Sequence, residues 1–212
     1  MVKVKGLSKL KVLIAFECSG IVREAFRAQG HHAYSCDLKP AEDGSPYHIQ
    51  DDVFNVIGKG WDLLIAHPPC TYLCSSGLHW NGRTPGRQAK TDAALDMVRA
   101  LMAAPVDRIA IENPVGCIST QIRKADQYIQ PYDYGDDASK RTGLWLKGLP
   151  KLVSPSGLRV PGRQVTKNGI TYERWSNQTD SGQNRLGPGI NRATDRARTY
   201  KGIAAAMAAQ WK

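Results

Sequence analysis

Acidic residues are scarce in the last third of this 212-residue chain. Residues 139–212 hold three Asp/Glu against fourteen Lys/Arg, whereas residues 1–138 hold sixteen against fifteen. The net charge of +10 therefore sits on one part of the chain. A near-neutral body with a basic region suggests a polyanion bound by one side; the bland alternative is a solvated basic surface. Long apolar runs are also lacking. None approaches the ~18 residues of a membrane span, so no membrane partner is expected. Met1–Gly6 reads as leading into a strand and lacks the apolar stretch of a secretory signal, so a cytoplasmic setting is expected. Cysteines are few: 18, 36, 70, 74 and 117. Their odd number and irregular spacing exclude a disulfide framework and fit a reducing compartment. Cys70 and Cys74 are four apart, but no matching Cys/His pair follows at ligand spacing, so no metal site is expected. No internal repeat is visible. The length suits one compact domain with room for a small appendage.

What is present is an alternation of apolar runs and amphipathic stretches. Leu10–Phe16, His32–Cys36, Trp61–Ala66 and Arg108–Ile111 read as buried strands. Ile21–Gln29 and Thr91–Ala104 have helical spacing, and Val53–Ile57 reads as a short helix entered at Asp51-Asp52. Near-continuously apolar strands between helices argue for a parallel sheet covered on both faces. The polar segment between Asp37 and Asp51, with Pro40, Gly44 and Pro46, and residues 71–90 read as loops. Beyond Pro114, Ser119–Tyr128 is expected to be helical and Gly143–Lys147 a strand. Residues 150–198 read as loops with a small hairpin around Lys167-Asn168-Gly169-Ile170. An alanine-rich helix follows from Gly202 to Trp211.

Chemistry-bearing residues gather where these strands end. Proline cannot continue a central strand, so Pro68-Pro69 forces an abrupt exit and presents Cys70 on a stiff loop. Cys70 is a nucleophile or a packed thiol; no histidine is placed by sequence to activate it, and His67 is expected to project differently. Glu112-Asn113-Pro114 ends a second strand and offers the thiol a carboxylate partner, unless Glu112 merely closes a strand. The first strand enters the turn Glu17-Cys18-Ser19-Gly20, either a plain connection or a seat for a nucleotide-like cofactor at a helix N-terminus. Asp37, past the second strand, is placed to accept ribose hydroxyls; otherwise it is a loop or capping aspartate. Asp51 and Asp52 are acceptors for an adenine amino group or a helix cap.

In this order the motifs resemble those of the DNA cytosine-5 methyltransferases. Phe16-Glu17-Cys18-Ser19-Gly20 resembles the family's F-x-G-x-G-G cofactor turn, Asp52-Val53 its G-D-I segment, Pro68-Pro69-Cys70 its P-P-C nucleophile and Glu112-Asn113-Pro114 its E-N-V. The resemblance covers roughly residues 10–116. It implies a Rossmann-like α/β fold, mostly parallel with helices on both faces, plus a small basic loop-rich C-terminal region. The expected divisions are a catalytic and cofactor-binding domain (1–150), a reduced substrate-recognition region (151–198) and a C-terminal helix packing back (199–212). The implied cofactor is S-adenosylmethionine, contacted by Phe16, Glu17, Cys18, Ser19, Gly20, Asp37, Leu38, Asp52, Val53 and Pro68. The implied reaction is methylation of carbon 5 of cytosine through a covalent Cys70 adduct. In it Glu112 serves ring nitrogen 3 and Asn113 orients the nucleophile. The expected partner is double-stranded DNA with its target base flipped, bound by a monomer. Pro69, Thr71 and Ser75 are expected at the substrate. Arg83, Arg87 and Lys90 belong to a loop closing over it, and Arg159, Arg163 and Arg174 belong to the basic region.

The departures from the family pattern are specific. Cys18 and Ile21 replace glycines of the cofactor turn, and Thr71 replaces the usual glutamine. Ala138–Thr142 is the nearest match to Q-x-R-x-R, leaving Lys140 or Arg141 for the arginine's role. Arg198–Gly202 stands where G-N-S-V would. The recognition region has about 45 residues (152–196), as in short phage and prophage proteins of this type, where restriction evasion is the implied use. The same chemistry on RNA or a free nucleotide, or a non-catalytic nucleic-acid-binding relative, are the other readings.

Overall fold

The computed structural model describes residues 8–187, 189 and 192–212; the expected lead-in from Met1 to Gly6 lies outside them. A seven-stranded sheet organises the chain. Its strands are β1 (Lys11–Ala15), β2 (His32–Asp37), β3 (His48–Gln50), β4 (Leu63–Ala66), β5 (Ile109–Pro114), β6 (Gln127–Ile129) and β7 (Thr142–Lys147). They lie in the order β3-β2-β1-β4-β5-β7-β6, parallel from β3 to β5. β7 runs antiparallel between β5 and β6. This is the mostly parallel, Rossmann-like α/β architecture expected from the alternating pattern.

Side-chain alternation divides the core into two layers. Leu13, Ala15, Leu64, Ala66, Ile109 and Ile111 face α2 (Val53–Val56) and α4 (Arg87–Met102) through Val53, Val56, Leu95, Val98 and Leu101. Val12, Ile14, Leu63, Ile65 and Ala110 face the other way, toward Val22 and Phe26 of α1 (Ile21–Ala28) and Ile203 and Met207 of α7 (Lys201–Gln210). Gly202 lets α7 approach the 3-10 turn Pro131–Tyr134, because a Cβ there would lie 1.9 Å from the Tyr134 carbonyl oxygen. Trp211, fully buried, fills the second layer and donates its indole N–H to Pro150 O at 2.9 Å. Trp211→Ala is expected to lower unfolding free energy by about 3–5 kcal/mol, read by urea denaturation.

Three expectations are corrected. His48–Gln50 is an edge strand rather than loop; its pairing with Ser35–Asp37 is made by backbone groups and leaves no apolar pattern to read. Ser119–Tyr128 is not one helix. A single turn, α5 (Ile118–Gln121), is followed by β6, whose neighbour Asp126 accepts the Leu146 N–H of β7 at 2.7 Å. Within 71–90, a 3-10 turn (Cys70–Tyr72) and α3 (Ser75–Leu78) interrupt the expected loop, and α4 starts at Arg87.

The basic region carries the expected hairpin, β8 (Arg163–Lys167) and β9 (Ile170–Arg174), turned by Asn168 and Gly169 with φ of 51° and 76°. It is docked on the sheet domain. Trp175 stacks on Tyr132 with centroids 3.8 Å apart, and the Asn177 side chain bonds both the N–H and the carbonyl of Ser139 at 2.9 Å. The last described elements are α6 (Arg192–Ala197) and α7.

Candidate active site

Strand order reverses at β1, between β2 and β4, and clefts for ligands form at the carboxyl ends of strands around such a point. Two clefts meet there, and Cys70 belongs to both.

The first cleft, about 280 Å³, is lined by Phe16–Ser19, Asp37, His67, Pro69 and Thr71, with Arg198 and Thr199 across it. β1 enters it through Phe16, whose φ of 59° is rare for an aromatic residue and turns the chain sharply. Gly20 follows with φ of 72°, and a Cβ there would sit 2.2 Å from the Arg23 guanidinium. The turn lines the cleft, while the N–H groups that open α1 are engaged within the chain. The buried Glu17 carboxylate accepts the N–H groups of Val22 (2.7 Å) and Arg23 (3.2 Å). Burial pushes the Glu17 carboxyl up, against those bonds and the nearby His67. Asp37 spends Oδ1 on the Lys39 N–H at 2.9 Å and lies in the cleft wall. Gly20, Leu38, Asp52, Val53 and Pro68 are not brought into this wall. Leu38 is 72% exposed, Asp52 caps α2 by accepting the Phe54 N–H at 2.9 Å, and Val53 is buried in the core.

Cys70 owes its place to the loops after β4 and β5. Ala66 pairs with Ile111, so His67, one residue past β4, lies beside Glu112, which still pairs with Leu144 of β7. The buried Pro68 offers its carbonyl to the Asn113 amide at 2.7 Å. The two loops then join through bonds from Ser75 N to Val115 O (3.0 Å) and from Cys117 N to Leu73 O (2.8 Å). Gly116 permits that approach: a Cβ would meet Leu73 O at 1.9 Å.

Glu112 is buried and bonded to His67 Nδ1 at 2.7 Å. Burial alone would raise its pKa; the Lys140 ammonium, His67 and Thr142 outweigh that and bring it down to about 2. Since 4.5 is the ordinary value, the Glu112 charge contributes stability fully above pH about 4.5 and loses it as pH falls through about 2. Urea titrations across that window are expected to show a falling midpoint, flatter in Glu112→Gln.

The second cleft, about 350 Å³, lies between Cys70, Cys74 and Ser75 on one side and Lys140, Arg141, Arg196 and Tyr200 on the other. Lys140 is held by its N–H to Gln130 Oε1 (3.0 Å) and, through Ser139, by Asn177. Its charge acts on both Glu112 and Cys70, whereas the Arg141 guanidinium lies 4.4 Å from the centre of the Tyr128 ring. The other arginines named from sequence have protein partners. Arg87 donates to Thr71 O at 3.1 Å, bracing the Cys70 turn, and Arg83 lies 6.0 Å from the Trp80 ring centre. Arg159 pairs with Glu173, Arg163 with Asp180, and Arg174 bonds Asp180 O. Sequence reasoning missed His67 as the Glu112 partner, Asn177 as the clamp on Lys140, and Cys74 beside Cys70. Only Cys74 carried a signal, its spacing from Cys70, and that was weighed for metal alone.

Among the described residues no helix is long and apolar enough to cross a membrane. No protein-family model matches the chain, and no curated protein does. Among solved structures it is similar to one described as a candidate DNA modification methyltransferase encoded within an E. coli prophage. The two share 17% sequence identity at a TM-score of 0.45, over 65% of this chain and 46% of that one. The chain thus spans less than half the length of that protein.

Proposed function

We propose that this chain transfers a methyl group from S-adenosylmethionine to carbon 5 of cytosine in DNA, through a covalent bond from Cys70. The observation that carries this reading is that Cys70 is shared by two clefts. One holds the turn after β1 and Asp37; the other holds Lys140, with Glu112 behind.

The first cleft fits the cofactor. The half-buried Asp37 carboxylate suits ribose hydroxyls, and the buried His67 Nε2 has no hydrogen-bond partner among the described residues. Phe16, Cys18, Ser19 and Pro69 would complete the seat. The cofactor, when bound, supplies an electrophilic methyl on a sulfonium. The protein's task is to make carbon 5 nucleophilic. Attack of the Cys70 sulfur on carbon 6 moves the carbon 5–carbon 6 π pair onto carbon 5. Glu112 accepts the exocyclic amino N–H with one oxygen, and a proton taken from solvent as the substrate is seated lies between its other oxygen and ring nitrogen 3. Lys140 stabilises the charge that spreads through the ring and takes the role of the missing arginine. Asn113 keeps Pro68, and so the thiol, in place. The basic residues of 139–212 favour a polymer over a free nucleotide and predict steep salt dependence of binding.

The test is incubation with methyl-labelled S-adenosylmethionine and unmodified DNA, then nucleoside mass spectrometry. Label in 5-methyldeoxycytidine is expected. Label on another base, or label that appears only with RNA or free nucleotide, would overturn the DNA cytosine assignment.

A further inference from the structure

Positive charge in the C-terminal third is unevenly free once the partners of each arginine are followed. Away from the second cleft the protein engages them. Arg159 and Arg163 pair with Glu173 and Asp180, and Arg198 pairs with Glu42. Arg174 and Arg185 donate to the carbonyls of Asp180 and Gln178. At the second cleft three cations meet instead. Lys140 and Arg141 come from the segment entering β7, and Arg196 comes from α6, far along the chain. Asp195 is the one acidic residue among the described residues that line this cleft.

The three cations are not alike. Lys140 is half-buried, and its charge already acts on Glu112. Arg141 and Arg196 are exposed, and neither has a carboxylate partner among the described residues. Arg141 is nonetheless held in place. Its guanidinium lies over the Tyr128 ring, and the Tyr128 hydroxyl is bonded to Ser119 Oγ at 3.0 Å. A ring face steadies a cation but offers it no oxygen, so the N–H donors of Arg141 still lack acceptors.

We propose that Arg141 and Arg196 bind the DNA backbone at the mouth of the second cleft, each holding a phosphate beside the target nucleotide. This rests on the reading of DNA as the substrate. A cytosine that reaches Cys70 enters this cleft and brings its flanking phosphates to the rim, where the two exposed arginines stand. A guanidinium fork matches two phosphate oxygens, and such charge-assisted bonds are about twice as strong as neutral ones. An arginine of the hairpin would have to give up an ion pair or a carbonyl before it could do the same. The basic third of the chain thus acts on DNA through two residues near the nucleophile, and the hairpin arginines hold the protein together.

The test needs no cofactor. It uses a short oligodeoxycytidylate, whose unpaired bases enter a cleft without the cost of flipping. Affinity is read by fluorescence anisotropy over a range of salt concentrations. Arg141→Gln and Arg196→Gln are each expected to weaken binding about tenfold at low salt. Each is also expected to flatten the plot of log affinity against log salt by about 0.7, the value for one phosphate contact on a single strand. On the same oligomer with uncharged methylphosphonate linkages, neither change is expected to matter. Arg159→Gln and Arg163→Gln remove the same unit of charge. They are expected to leave affinity within about twofold and the slope unaltered. All four side chains are exposed, so none of these changes opens the core. Unaltered slopes in Arg141→Gln and Arg196→Gln would overturn the proposal. So would an equal loss in the hairpin variants, or a loss that persists on the uncharged backbone. The expected slopes in a protein that labels no cytosine would leave the phosphate contacts standing and overturn the methyl-transfer reading alone.

Discussion

Cys70→Ser is expected to reduce methyl transfer to DNA by roughly a thousandfold or more, the scale seen when a covalent nucleophile is removed. A hydroxyl at this position is far harder to ionise than a thiol, and nothing in the cleft compensates for that. The scaffold should not register the change. Pro68 and Pro69 fix the backbone, and Asn113 holds the Pro68 carbonyl. Cofactor affinity, measured by calorimetry, is therefore expected to stay near that of the unsubstituted protein. The rest of the first cleft is lined from the turn after β1, the end of β2, the loop after β4 and the 197–199 segment. Full activity in Cys70→Ser would remove the covalent mechanism. Loss of cofactor binding would instead mean that Cys70 is a wall of the first cleft and no more.

Glu112→Gln is the second large effect. The side chains are nearly isosteric, so packing between β4 and β7 survives and the amide oxygen can still accept from His67. What goes is the negative charge that Lys140, His67 and Thr142 hold down to about 2. A neutral amide cannot hold a proton for ring nitrogen 3, and Lys140 loses the charge it faces. The kcat is expected to fall by 10²–10⁴-fold, the usual reach of a general acid–base group, with a much smaller change in KM. A rise in KM at unchanged kcat would make Glu112 a binding group without a part in the chemistry.

The layers of the sheet were legible because buried parallel strands leave a run of apolar residues that nothing else explains. Leu63–Ala66 is fully buried, and no polar residue interrupts it. β3 and β6 were not legible. Each is three residues long, defined by backbone pairing, and backbone pairing leaves no mark on residue type. Cys70 was legible as a strand-end group because a double proline is punctuation; Glu112 was legible after an apolar run, but β5 continues to Pro114 because it also pairs with β7. Their neighbours were not. His67 meets Glu112 because β4 and β5 pair in one register, 45 residues apart. Positive charge in the C-terminal third could be counted, but the ion pairs that engage Arg159 and Arg163 could not.

The sequence by itself determined the alternation of strand and helix, the basic C-terminal third, and the presence of a thiol and a carboxylate just past two apolar runs. Those follow from local rules of burial, backbone freedom and charge, which act on neighbours in the chain. Only the tertiary structure decided that Cys70 belongs to two clefts, that Cys74 borders one of them, and that the Lys140 charge acts on Glu112. Each depends on distances between segments that meet through strand register and loop docking. The hydrogen bonds and charge interactions involved vanish within a few ångströms, so residues that carry no pattern of their own acquire a role only when the fold brings them into contact.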